Sequence, residues 1–277
     1  MQVLTENILT TTIRQRPADS YKGTYGRVTL IGGNRNFGGA IIMASAAAVY
    51  AGAGLVTTIT DASNQSSLHA RLPEAMFADI QDFTQTRTLI RHADVVVLGP
   101  GLGTDTAALT TLKQAFQAIT PEQHVILDGS AITLVAEQHL PLPQAHIIFT
   151  PHQMEWQRLS GLKIAAQTPA ANKQAAATIG GIVVVKSHRT QIYTPTNAYE
   201  NPLGTPAQAT GGMGDTLAGM IGGFVAQFAD SSAAVCAAVY SHSAIAELLA
   251  QQQYVVLPSQ IITELPHFMK VHEHKDV

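Results

Sequence analysis

The chain has 277 residues, enough for one or two domains with a full hydrophobic core. Lys plus Arg number 16 and Asp plus Glu 19, a net charge of −3 with 13% charged residues, so there is neither a basic footprint for nucleic acid or a membrane surface nor an acidic tail. The hydrophobic share of 46% excludes a disordered chain. A lone cysteine, Cys236, excludes a disulfide framework and a thiolate metal cage, and a reducing cytoplasm is the expected location.

The first residues, Met1 to Pro17, lack a basic segment followed by an apolar run, so no secretory signal is expected. Val28–Ile31 reads as the first strand, closed by the glycine-rich loop Gly32–Ala40. Asn36 to Thr60 carries no charge over more than a bilayer span, yet it is rich in alanine, broken at Gly52 and Gly54, and ends in threonines. It reads as a buried helix, Ala40–Ala51, and a strand, Leu55–Thr60. Strands follow at Val95–Leu98, Val125–Leu127, Ile147–Phe149 and Ile182–Val185, separated by helices near Thr106–Ala118, Met154–Leu159 and Pro169–Ile179. A helical block, Asp215–Phe228, Ser232–Gln251 and Pro258–Lys270, closes the chain, and His267, His272 and His274 read as a frayed tail without a metal.

Short apolar strands alternating with helices predict a single α/β domain over 1–277, a mainly parallel doubly wound sheet flanked by helices. No repeat or linker divides it. In such sheets ligands gather at the carboxyl ends of the strands. There the sequence places Gly32–Ala40, Gly99–Gly103, and Thr150-Pro151-His152, with Glu155 one helical turn beyond His152. In the first of these loops, Asn34, Arg35 and Asn36 are read as polar side chains reaching over a ligand.

The run Ala209-Thr210-Gly211-Gly212-Met213-Gly214-Asp215 leads into a helix. Either the glycines form a tight turn capped by Asp215, or their bare N–H groups and the helix dipole bind a phosphate, with Asp215 free as a base. Three glycines within four positions favour the anion site, because each costs backbone entropy. Walker A chemistry is excluded, since no glycine loop ends in Gly-Lys-Ser/Thr. Lys186-Ser187-His188-Arg189-Thr190 is either a solvated turn or a positive element beside a nucleotide.

Taken together, the loops resemble the ADP-dependent (S)-NAD(P)H-hydrate dehydratases of the ribokinase-like superfamily, from Tyr21 to Met269. The matching runs are Phe37-Gly38-Gly39-Ala40 with Ala51–Thr57, Leu72-Pro73-Glu74-Ala75-Met76, Gly99–Gly103, Thr150-Pro151-His152 and Ala209–Asp215. The resemblance implies that ADP phosphorylates the ring hydroxyl of hydrated NADH or NADPH. The ring nitrogen then expels phosphate, restoring the cofactor and leaving AMP. It implies hydrate contacts at Ala40, Gly103, His152 and Asp215, with Asp215 catalytic. It assigns the nucleotide to Lys186, Ser187, His188, Arg189, Thr190 and Gly214, joining the anion loop Gly211 and Gly212. It also implies Mg²⁺ with the phosphates, reached by Glu155 through water if by any side chain, and a homo-oligomer, a tetramer. Too few residues precede Tyr21 for the epimerase domain of some relatives, so a separate NAD(P)H-hydrate epimerase is the implied pathway partner.

The sequence departs from the family pattern at Met154 and Ser187, where glycine is frequent, and at Ser130, where a second aspartate often follows Asp128, which weakens a metal role there. Two other readings share these motifs. A ribokinase-like vitamin kinase acting on pyridoxal or hydroxymethylpyrimidine would carry asparagine where His152 stands, and a non-catalytic nucleotide sensor would not need Asp215.

Overall fold

The structure, a computed structural model, describes residues 1–274. Ten strands form one sheet: β1 (Gln2–Val3), β2 (Arg27–Ile31), β3 (Leu55–Thr60), β4 (Met76–Asp79), β5 (Val95–Leu98), β6 (His124–Leu127), β7 (His146–Phe149), β8 (Ile182–Val185), β9 (Gln191–Tyr193) and β10 (Ala198–Glu200). Their order is β1-β10-β9-β8-β7-β6-β5-β2-β3-β4. From β8 to β4 every neighbour is parallel, while β9 runs antiparallel to both β8 and β10. The chain winds outward from β2 to β4, returns to the other side of β2, and winds the opposite way from β5 to β8. The strand order therefore reverses between β2 and β5.

Among the described residues eleven α-helices flank the sheet: α1 (Asn7–Thr12), α2 (Gly38–Tyr50), α3 (Gln65–Arg71), α4 (Phe83–Arg91), α5 (Thr106–Ala118), α6 (Ser130–Glu137), α7 (Gln153–Ser160), α8 (Pro169–Ile179), α9 (Met213–Gln227), α10 (Ser231–Ala250) and α11 (Pro258–Val271). Side chains alternate across each strand, so two cores form. Val95, Val97, Ile126 and Val184 meet α2, α9, α10 and α11 on one face. Val96, Leu98, Val125, Leu127 and Val183 meet Ile90, Leu112, Ile132 and Trp156 of α4 to α7 on the other. The alanines of α2 and the glycines of α9 let these helices touch closely: a Cβ on Gly219 would stand 2.0 Å from the Ala44 carbonyl oxygen. Among the described residues α10 is long and apolar enough to cross a membrane, and here it packs into the core against α1, α9 and α11.

Every strand and helix read from the sequence is present, within two residues at each end. The uncharged stretch is α2 followed by β3, both largely buried. The short strands β1 and β4 at the two sheet edges, β9 and β10 inside it, and α1, α3, α4 and α6, were not foreseen. Each is brief or lacks a strong apolar pattern; β9 is held by pairing with β8, and β10 by pairing with β9, rather than by their own composition.

The frayed tail is corrected. His272 Nε2 lies 2.9 Å from Glu6 Oε1, and its ring tilts against Phe268 at 4.3 Å. His274 N–H donates to the Ile13 carbonyl at 2.8 Å and its carbonyl accepts Gln15 N–H at 3.1 Å, tying the end of the chain to its beginning.

Candidate active site

The topology brings the loops after β2, β5, β6, β7 and β8 side by side at the carboxyl edge, around the point where strand order reverses. The first two are stitched together: Gly33 N–H donates to Pro100 O at 2.8 Å and Asn34 N–H to Gly101 O at 2.7 Å. Gly103 is enclosed by Asn34, whose Nδ2 would lie 2.7 Å from a Cβ there, and by Ser130, whose Oγ accepts Gly103 N–H at 3.1 Å. A Cβ on Gly101 would come within 3.0 Å of Ala40 Cβ, so Ala40 and Gly103 belong to one wall. Asn34 is not an arm reaching over a ligand. Its Oδ1 accepts the N–H groups of Asn36 and Phe37 at 3.0 and 3.1 Å, an Asx turn that shapes the loop.

His152 precedes α7 with extended backbone, and with no Ser, Thr, Asp or Asn at this position its ring serves as the cap. Nδ1 accepts Met154 N–H at 3.1 Å and Glu155 N–H at 3.3 Å, while Glu155 Oε2 accepts His152 N–H at 2.8 Å. As Nδ1 accepts, the proton resides on Nε2, which lies 3.3 Å from Glu155 Oε1 on a side chain 54% exposed.

Lys186 continues β8. Its Nζ lies 2.7 Å from Asp128 Oδ1, and the two side chains are 19% and 4% exposed. The same oxygen accepts Thr150 Oγ1–H at 2.7 Å. Burial lowers the proton affinity of the ammonium, yet Asp128, Glu155 and Asp215 together raise its pKa above the ordinary lysine value. The turn Lys186 to Thr190 does not act as one piece. Ser187 Oγ donates to Arg189 O at 2.6 Å and Thr190 Oγ1 to Ser187 O at 3.3 Å, so both close their own turn. His188 is exposed, and Arg189 is half-buried with one terminal nitrogen lacking a partner.

The helix α9 arrives above Lys186. Gly212, at φ 95° and without a side-chain cap, precedes Met213, and a Cβ there would fall 2.5 Å from Met43 Cε. Asp215 is therefore not the cap: it is the third residue of the helix. A Cβ on Gly214 would stand 3.1 Å from Lys186 Nζ, which places the ammonium directly against the first turn. Burial, reinforced by the charge of Asp128 and opposed by Lys186, pushes the Asp215 carboxyl up to about 6. Burial likewise raises Glu155. Gly211 lies open, with nothing within 4 Å of a Cβ there.

The structure thus gathers Asp215, Gly214, Lys186, Glu155 and His152 at one edge, with Ala40 and Gly103 across the crevice between β2 and β5. It adds residues the sequence reading passed over. Asp128 had been considered only for a metal, although a charge at the end of an all-apolar strand was a signal. His242 of α10 is buried, its Nδ1 3.3 Å from Gln208 Nε2, and burial with the charge of Lys186 depresses it to about 4.

This doubly wound sheet, with a glycine turn feeding a helix beside a carboxylate and an ammonium, has the ribokinase-like architecture. A protein of that superfamily from Enterococcus faecalis superposes with a TM-score of 0.97 at 47% identity, covering 99% of this chain and 97% of that one. The family profile for NAD(P)H-hydrate dehydratase matches residues 28–267, and the chain belongs to that family. An ADP-dependent (S)-NAD(P)H-hydrate dehydratase of Lactiplantibacillus plantarum is 58% identical over 97% of each chain. The ADP/ATP-dependent NAD(P)H-hydrate dehydratase of Bacillus subtilis, co-crystallised with ATP and Mg²⁺, is 30% identical with a TM-score of 0.86 over 98% of this chain and 99% of that one.

Proposed function

We propose that this enzyme dehydrates the S form of hydrated NADH and NADPH with ADP as phosphoryl donor. The carrying observation is Asp215: a carboxylate with a raised proton affinity, in the first turn of a helix whose N-terminus is uncapped, beside a buried ammonium. The substrate's ring hydroxyl attacks the β-phosphorus of ADP, Asp215 accepts its proton, and AMP leaves. The ring nitrogen's electron pair then breaks the carbon–oxygen bond, phosphate departs, and loss of a proton from the neighbouring carbon restores the reduced nicotinamide.

Phosphoryl transfer asks chiefly for positioning and charge stabilisation. In this reading Lys186 and the N–H groups of Gly211, Gly212 and Gly214 receive the phosphates. Ser187, His188, Arg189 and Thr190 flank the nucleoside, and Ala40, Gly103 and His152 bound the hydrate. His152 presents its exposed ring to the hydrate, Nδ1 being occupied by the cap and Nε2 lying beside Glu155.

Among the described residues no three His, Cys, Asp or Glu converge as metal ligands, and an ammonium stands amid the carboxylates. That donor set fits Mg²⁺ entering as part of the ADP complex, held mainly by phosphate oxygens, with Glu155 the carboxylate that reaches it through water. A separate epimerase would supply the S form, the cytoplasm is the proposed location given the buried thiol of Cys236, and a homotetramer the proposed assembly, to be read by light scattering. The test of the activity is return of reduced-nicotinamide absorbance from hydrated NADH on addition of Mg²⁺ and ADP. A stable phosphorylated pyridoxal or hydroxymethylpyrimidine formed with ATP, without NADH recovery, would overturn it.

A further inference from the structure

Lys186 faces three carboxylates, and they are not equally free. Glu155 accepts the His152 backbone N–H at 2.8 Å through Oε2, and its Oε1 lies 3.3 Å from His152 Nε2. Asp128 is buried and engages Lys186 and Thr150 through one oxygen, each at 2.7 Å. Its backbone is clamped as well: a Cβ on Gly99 would stand 1.8 Å from Asp128 O. Asp215 accepts no side-chain hydrogen bond among the described residues, and it meets Lys186 through charge alone. The Lys186 backbone is itself fixed, its N–H donating to Pro151 O at 2.8 Å.

We propose that Asp128 is a positioning residue that holds the Lys186 ammonium away from Asp215, so that Asp215 keeps an unpaired oxygen for the substrate hydroxyl. The inference rests on Asp215 as the base. A nearly dry ammonium that loses its counter-ion must find another. With Glu155 held by His152, the carboxylate left is Asp215, the residue next to Gly214, whose Cβ position the ammonium already approaches to 3.1 Å. A Lys186–Asp215 pair would occupy the oxygen that takes the proton and make it a weaker base. Asp128 is buried, and its engaged oxygen is taken by the ammonium and by Thr150. It acts through the lysine.

The experiment is a double-mutant cycle on the full chain, Asp128→Asn and Lys186→Met singly and together, read as kcat, KM for the hydrate, calorimetric affinity for ADP and melting temperature, with single-turnover kinetics for the slow variants. Asp128→Asn is expected to lower kcat at saturating ADP at least about tenfold while hydrate KM stays within roughly threefold, with ADP affinity weakened as the ammonium leaves the phosphates. On the Lys186→Met background the same change should cost less than about twofold, because the ammonium it restrains is gone. Equal losses in both backgrounds, or an unchanged kcat, would overturn the inference. Thr150→Val covers the case in which Asp128→Asn does not fold. It removes the bond that orients Asp128 while keeping its charge and shape, and a smaller kcat loss of the same kind is expected, whereas wild-type turnover refutes the proposal. The parent reading fails separately: if Asp215→Asn stays active, Asp215 is not the base, whereas inactivity there with wild-type kcat in Thr150→Val and Asp128→Asn removes only the role of Asp128.

Discussion

Replacing Asp215 with asparagine separates catalysis from folding, because the two respond in opposite directions. The side chain keeps its size, and Gly212, not Asp215, holds the cap position, so the fold should persist. Loss of the proton acceptor is expected to lower kcat at least about a hundredfold, the scale of a general base. Stability should rise. The carboxyl is shifted from 3.8 to about 6, chiefly by burial. At about 1.36 kcal/mol per pKa unit, the ionised form weakens the fold by up to about 3 kcal/mol, less whatever solvent reaches this half-buried group screens. A raised carboxyl pKa favours the folded state below the unfolded value, and that advantage disappears as pH rises through about 6. Asp215→Asn should therefore melt several degrees above wild type at pH 8, with the gap about halved at pH 5 and closing only toward pH 4. In the wild type, kcat/KM should fall on the acid side with a midpoint near 6 rather than near 4. The assays are absorbance recovery from hydrated NADH with ADP, and thermal melts at the two pH values. Turnover within a few-fold of wild type, or a melting gap that does not change with pH, would refute the reasoning.

Gly214→Val would press a branched side chain onto Lys186 Nζ, 3.1 Å from the Cβ position, and should weaken ADP binding at least about tenfold by calorimetry, since phosphate loses both its approach and the ammonium's geometry. His152→Ala should raise KM for the hydrate several-fold and leave ADP affinity nearly unchanged. It also removes the cap of α7, an effect of about 1 kcal/mol visible as a lower melting temperature, which His152→Asn would restore without restoring KM. His242, depressed from 6.5 to about 4 by burial, makes the fold lose stability as pH falls from 6.5 toward 4, because the unfolded chain takes up the proton first. His242→Gln should flatten that acid-side loss, and melts between pH 7 and 4.5 check it.

Periodicity and composition determined the layered α/β architecture, since an all-apolar run such as Val95–Leu98 can be buried only between two helix layers. They also placed the glycine loops at the carboxyl edge and singled out the turn before Asp215, because loop glycines and a helix start are local properties. They did not reveal β9, which pairs with the edge of β8, or β10, which pairs in turn with β9, nor the tail that His272 and His274 tie down. The cluster itself lay beyond local reading. Asp128, Lys186 and Asp215 are separated by 58 and 29 residues, and no local pattern joins them; adjacency of β6, β7 and β8 and the return of α9 across the sheet bring them together. Their charges then alter one another, so whether Asp215 is a bland helix-start acid or a base near neutrality is decided by burial and by the partner Asp128 gives to Lys186.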